Sequence, residues 1–294
     1  MRQIIELYGI STSVTDADWT SIVINESCPY LKRKCIKVRK SNPNITIGTC
    51  TVLYGKDQKD IIICPHRLLE RGQIFIDCIH LLTNNEPGNE FHIVPEISIP
   101  GGNVDYFLVA SRNGKVKDFV GIELQTLDST GTIWPYRKNL LREYNIETEE
   151  IGQYEDEEVT YRVSKKRKKG FGMNWKMTAK TTLMQLHHKV QTFEHINRHL
   201  VLVIQDHFFN YIRREFRFDH VNDARIGDPM HIHVYNLNEG NEGLLRLELE
   251  SRYSTDANGI AKSLDMQAEA KLGLEEIIRL LETKISDETL FTLQ

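Results

Sequence analysis

The 294-residue sequence has no apolar run of transmembrane length, no internal repeat and no low-complexity segment. A helical membrane span needs about 20 consecutive apolar residues, so crossing a bilayer by helices is excluded and no membrane partner is expected. No secretory signal peptide is expected, so the five cysteines are expected in a reducing, cytoplasmic setting. There is no excess of positive charge either. A formal net charge of −4 argues against a passive, histone-like coat for nucleic acid. What remains is ordinary for a globular protein: a hydrophobic fraction of 40% and enough length for one large domain with a small lobe.

Two apolar segments carry the most informative residues. Asp105 opens the run Val104-Asp105-Tyr106-Phe107-Leu108-Val109-Ala110, and seventeen residues separate it from Glu123, which sits with Gln125 in Phe119-Val120-Gly121-Ile122-Glu123-Leu124-Gln125. Both segments are rich in β-branched and aromatic residues, and the turn-like Ser111-Arg112-Asn113-Gly114-Lys115 joins them, which predicts a β-hairpin. Strand side chains alternate between faces, so Glu123 and Gln125 share one face. Hard oxygen donors of this kind suit Mg²⁺. The bland alternative is a half-buried hairpin with a wet polar face. The arrangement resembles the PD-(D/E)xK nucleases, in which the Asp and the first residue of (D/E)xK bind Mg²⁺ and the final Lys helps to place or activate a water. Two departures stand out: no Pro directly precedes Asp105, and Gln125 stands where the pattern has Lys.

The N-terminal third adds Cys28, Cys35, Cys50 and Cys64, spaced C-x6-C-x14-C-x13-C. These are not the tight C-x2-C pairs of common zinc sites, but four thiolates within 37 residues can form one tetrahedral site. Cys-Pro occurs twice and stiffens the chain beside the sulfur. Two disulfides would leave Cys78 odd, and four unrelated buried thiols are a competing reading. A structural S₄ site is favoured, and its geometry accepts zinc or iron alike.

Taken together, Cys28-Pro29, Cys35, Gly48-Thr49-Cys50, Ile63-Cys64-Pro65-His66-Arg67-Leu68, Val104-Asp105-Tyr106 and Glu123-Leu124-Gln125-Thr126-Leu127-Asp128 resemble the NotI-like type II restriction endonucleases. The resemblance covers about residues 25 to 250 and rests on the order and co-occurrence of the two motifs. It implies an α/β fold: a PD-(D/E)xK core, with a mixed central sheet flanked by helices, and a small N-terminal four-cysteine lobe that holds iron. The corresponding division is residues 1–85 for the N-terminal region, with the thiol lobe at about 25–66, and 86–294 for the catalytic domain. It also implies Mg²⁺-dependent hydrolysis of double-stranded DNA at a specific sequence, a homodimer, and a companion DNA methyltransferase acting on the same site without a stable complex. Gln at the third catalytic position looks typical of the group. An amide cannot act as a base near neutral pH, so the role of activating water stays unassigned. Glu96, after the extended stretch Phe91-His92-Ile93-Val94-Pro95, is a candidate additional carboxylate; the alternative is a surface Glu.

Two basic clusters, Lys32-Arg33-Lys34 with Lys37, Arg39 and Lys40, and Lys165-Lys166-Arg167-Lys168-Lys169, are candidate phosphate contacts or else solvated loops. Arg67 to Leu82 reads as a helix followed by a strand. Ala179, Leu183, Leu186, Val190 and Phe193 mark one face of a long helix, whose other face carries Lys176, Lys180, His187 and Lys189. The wholly apolar Leu200-Val201-Leu202-Val203-Ile204 predicts a central strand. His187 and His188 point apart and chelate poorly. His231 and His233 share a strand face, where surface or core-edge histidines are a commoner outcome than a metal site. Leu274, Ile277, Leu281 and Ile285 keep helical spacing and predict a C-terminal packing helix. Two other functions compete with the restriction enzyme: a non-catalytic DNA-binding protein with a structural metal site, and a repair-type nuclease.

Overall fold

The computed structural model describes residues 3–39, 42–146, 171–240 and 244–265. Lys40, the Lys165–Lys169 cluster and the helical spacing from Leu274 to Ile285 lie outside the described residues.

The N-terminal region begins with β1 (Ile4–Leu7), β2 (Ile10–Ser11) and α1 (Trp19–Asn25). Two short antiparallel pairs follow, Ser27–Cys28 with Arg33–Lys34 and Val38–Arg39 with Asn42–Thr46. Then come β3 (Thr49–Tyr54) and β4 (Lys59–Ile62), which complete a four-stranded sheet in the order β2-β1-β3-β4. Beyond it, Arg67 to Leu82 does not form the expected helix and strand. It runs as 3-10 turns over Pro65–Gly72, a single helical turn α2 (Gln73–Ile76) and another 3-10 turn at Ile79–Leu81. Arg71 and Gly72 both take positive φ, which breaks any continuous helix. Leu68, Leu69, Ile74, Phe75 and Leu81 pack into a core instead of lining a strand.

The large sheet contains β5 (Glu90–Ile99), β6 (Gly102–Arg112), β7 (Lys115–Gln125), β8 (His199–Gln205), β9 (Asn222–Asp223), β10 (Met230–Glu239) and β11 (Leu245–Thr255). Its order is β9-β11-β10-β8-β7-β6-β5. β8 runs parallel to both β7 and β10, while the other pairings are antiparallel, so the sheet is mixed. The helices are α3 (Trp134–Glu143), α4 (Trp175–His195), α5 (Asp206–Glu215) and α6 (Ala257–Ser263). This is the α/β layout expected, with β8 central and apolar because it is covered on both faces. The hairpin is also present. Arg112 pairs with Lys115, so only Asn113 and Gly114 turn, at φ 52° and 69°. Two positive φ values make a type I′ turn, whose twist matches that of the strands it joins. The turn is tighter than the five-residue one predicted.

The sheet separates two cores. On one side Phe107, Leu200, Leu202 and Ile204 meet Ala179, Leu183, Leu186, Val190 and Phe193 of α4. Gly121 lets that helix approach, since a Cβ there would stand 2.4 Å from Phe193 Cζ. On the other side Leu108, Val120, Ile122, Val201 and Val203 meet the apolar residues that follow Cys64. Ile4, Leu7, Val52 and Ile61 of the small sheet join the first core. Polar contacts fasten the two sheets as well: Gln205 Nε2 donates to the Asp60 carbonyl (2.6 Å), and Gln205 Oε1 accepts from Ile62 N–H (2.8 Å). Buried Arg67 donates to Glu6 (2.8 Å), Glu70 (2.8 Å) and the Leu245 carbonyl (2.9 Å).

Candidate active site and thiol cluster

The hairpin register brings the predicted carboxylates together. Tyr106 pairs with Ile122, which sets Asp105 across from Glu123. On the other flank Val104 pairs with Ile97 and Tyr106 with Pro95, so Glu96 stands across from Asp105. Glu96, Asp105 and Glu123 therefore form a row over β5, β6 and β7. Glu96 is exposed and takes φ 50°, an uncommon conformation for a non-glycine residue inside a strand. Asp105 Oδ2 accepts from Leu124 N–H at 2.8 Å, which fixes the carboxylate against the neighbouring strand. Gln125 points to the same side as Glu123, and its Nε2 donates to the Thr126 carbonyl at 2.7 Å.

The electrostatics follow from burial. Burial raises the Asp105 carboxyl above its usual value and Glu96 adds to the rise; the Leu124 N–H and the Lys189 charge oppose it. Burial pushes Glu123 up to about 7, against the hydrogen bond and charge of Lys189. Lys189 Nζ is 2.7 Å from Glu123 Oε1 and also donates to the Asn103 carbonyl. This corrects the sequence reading, which put Lys189 on the outer face of α4. Lys176 and Lys180 are exposed as expected, but Lys189 is buried with Leu186, Val190 and Phe193. The signal was available. Thr182, Leu186, Lys189 and Phe193 recur at four, three and four, the spacing of one helix face.

His66 links this row to the N-terminal lobe. Burial lowers its pKa, Arg33 and Lys37 lower it further, and Asp105 and Glu96 oppose them. The first basic cluster thus reaches the electrostatic neighbourhood of the carboxylates. Within it Lys32, Arg33 and Lys34 are exposed, although Lys34 pairs with Glu26 (2.7 Å) and Lys37 Nζ donates to the Ile63 carbonyl (2.7 Å).

Cys28, Cys35, Cys50 and Cys64 come together around one small cavity of about 10 Å³, with Tyr8, Lys37 and His66 also in its wall. None is in a disulfide, and Cys28, Cys50 and Cys64 are buried. A hydrogen bond from Cys50, with help from Lys37, holds the Cys64 thiol below its usual pKa. Cys50 and Cys35 shift the other way, Cys50 through its bond to Cys64 and burial, Cys35 through burial. A cavity of that size has room for about one water-sized particle. Among the described residues, no three or more His, Cys, Asp or Glu side chains stand close enough to make a ready-formed metal site. The four thiols nevertheless share one cavity and are soft donors, and the carboxylate row supplies hard oxygen donors.

The two histidine pairs resolve differently from expectation. His187 and His188 do not point apart; their rings meet edge to face, centroids 5.6 Å apart. His231 and His233 are neither surface nor core-edge residues: at 1% and 0% exposure they lie inside the sheet's core, because β10 is covered on both faces. Among the described residues, no helix is long and apolar enough to cross a membrane.

A sequence model described as restriction endonuclease NotI matches residues 25–244. That span includes the four thiols, the carboxylate row, Gln125 and Lys189. No curated protein matches the chain.

Proposed function

The chain belongs to the NotI restriction endonuclease family, and from that premise we propose that it hydrolyses phosphodiester bonds at a specific double-stranded DNA sequence with Mg²⁺. The observation that carries this reading is the row of carboxylates Glu96, Asp105 and Glu123 across three adjacent strands. Asp105 and Glu123 would hold the cation, with Glu96 as a further ligand. Bound there, Mg²⁺ supplies a Lewis acid that acidifies a coordinated water and offsets charge on the transition state.

The chain's own groups do the placing. The Leu124 N–H fixes Asp105, and the α4 face fixes Glu123. Gln125 orients the attacking water by hydrogen bonding and leaves its present acceptor, Thr126, to do so. As an amide it transfers no proton. Lys32, Arg33 and Lys34 contact DNA phosphates, which positions the duplex without reading its sequence. Residues 1–85 form a region whose four-cysteine lobe holds iron or zinc and braces the loops beside the carboxylates; residues 86–294 form the catalytic domain. A homodimer matches the two-fold symmetry of a palindromic site and gives one active centre per strand. The companion methyltransferase protects the same site without forming a stable complex.

The test is digestion of unmethylated bacterial genomic DNA with and without Mg²⁺, with sequencing of the ends. Ends that converge on one palindrome, need Mg²⁺ and vanish with Glu123→Ala are the expected result. Random ends would move the reading to a repair-type nuclease, and intact DNA under every condition to a binding module. Metal analysis checks the lobe: about one iron or zinc per chain, lost in Cys50→Ser.

A further inference from the structure

We propose that Lys189 is a positioning residue of the active centre: it holds the Glu123 carboxylate in place and supplies, from α4, the positive charge that position 125 lacks. The inference rests on the reading of Asp105 and Glu123 as the cation-holding carboxylates.

Burial is the first argument. The Lys189 side chain is 7% exposed, and its Nζ is 2.7 Å from Glu123 Oε1. Taking an ammonium out of water costs several kcal/mol unless it is paired. The position continues an apolar helix face, where Leu or Met would pack without that cost, so the charge is what distinguishes this residue from its neighbours. The pairing also leaves Glu123 with a fixed partner on a long, regular helix, and a rigid element positions a side chain more closely than a loop does.

The second argument is the turn that leads into Asp105. Gly101 and Gly102 take φ +102° and +126°, and a Cβ on Gly101 would stand 2.9 Å from the His188 carbonyl carbon. On Gly102 it would stand 3.3 Å from Lys189 Cε. The turn is therefore shaped against α4 where Lys189 leaves it. One residue later the Asn103 carbonyl accepts from Lys189 Nζ. A single ammonium thus ties together the entry to β6, which carries Asp105, and the end of β7, which carries Glu123. Its charge reaches Asp105 as well. An ammonium has three donors, and these contacts use two, which leaves one for a water or phosphate oxygen brought to the carboxylates.

The experiment compares Lys189→Met, Lys189→Arg and, as a control, Lys180→Met on the exposed face of the same helix. Each is assayed on unmethylated bacterial genomic DNA over a Mg²⁺ titration, beside thermal unfolding. Lys189→Met should lower the cleavage rate at saturating Mg²⁺ by about a hundredfold or more, the scale of one lost electrostatic contact in an active site. Lys189→Arg, which keeps the charge, should recover about tenfold or more of that loss. Lys180→Met should cleave like wild type. A folded Lys189→Met that cleaves within about threefold of wild type overturns the proposal, as does Lys189→Arg no more active than Lys189→Met. Should Lys189→Met fail to fold, Lys189→Gln, which keeps a donor without the charge, is read by the same criteria. Wild-type protein that leaves DNA intact removes the nuclease reading and this one with it. Wild-type cleavage alongside an active Lys189→Met removes this one alone.

Discussion

Glu123-x-Gln125 on β7 and His231-x-His233 on β10 are built alike. Each pairs two polar side chains at a spacing of two, on strands that flank β8. Their surroundings differ. Glu123 faces a helix that brings it a counter-ion, and it lies in line with Asp105 and with Glu96, which is exposed. His231 and His233 are sealed in. The neighbours of His233 are the His80 ring, 6.0 Å away, and Cys78 Sγ, 3.9 Å from its Nδ1, and its Nε2 has no hydrogen-bond partner. Burial, with Arg252 adding, pushes His233 down to about 3, and burial with His199 adding pushes His231 down to about 4. A buried titratable group with a partner at an open edge is placed to act on a ligand. One without a counter-ion, closed off from water, is kept neutral and serves as packing.

The largest effect that tests this contrast is on cleavage. Asp105→Asn should reduce it about a thousandfold, because the carboxylate charge is lost where charge develops in the reaction. His231→Leu should leave the rate within about twofold of wild type. The contrast breaks if His231→Leu, folded and with unchanged melting, loses cleavage as Asp105→Asn does.

A smaller effect separates the two sites by pH, measured by urea unfolding of the metal-free protein between pH 4.5 and 7. The histidines have folded pKa values below the unfolded value of about 6.5, so the unfolded chain binds more protons across the window from about 4 to 6.5. Their contribution is present above that window and is lost as pH falls through it. Glu123, raised to about 7, behaves oppositely: the folded state holds the extra proton, and stability falls as pH rises from about 4.5 to 7. Each group contributes at most about 1.4 kcal/mol per pH unit. His231→Leu should therefore lessen the loss of stability on acidification, and Glu123→Gln should increase it. Equal slopes in both variants would show that burial does not distinguish the sites.

Smaller again is the effect of Gly121→Ala, whose methyl would press on Phe193 and lift α4 from β7. The expected cost is about 1–3 kcal/mol in stability, the usual range for overpacking. A matching drop in cleavage, larger than the stability loss explains, would show that the seat of α4 sets the Glu123 geometry.

Much of the site was legible because its signals are local. Asn113-Gly114 between two β-rich segments specifies a tight hairpin, and the hairpin register fixes Asp105 opposite Glu123. The cysteine set was legible as a set, and its four members do line one cavity. The segment after Cys64 was misread because its apolar residues have no clean period, and packing against the sheet decided its shape. The charge of Lys189 suggests exposure, whereas its spacing along α4 places it with the core residues.

The sequence by itself determined the hairpin, the alternation that sets Glu123 and Gln125 on one face, the apolar central strand and the candidate ligands, because each follows from spacing along a few residues. Only the tertiary structure decided what covers each face. Glu123 meets an ammonium 66 residues further along the chain, and Cys78 meets His233 across 155. A strand's period says which side chains travel together but carries no information about the distant segment that packs on them, and that segment determines whether a buried charge has a partner.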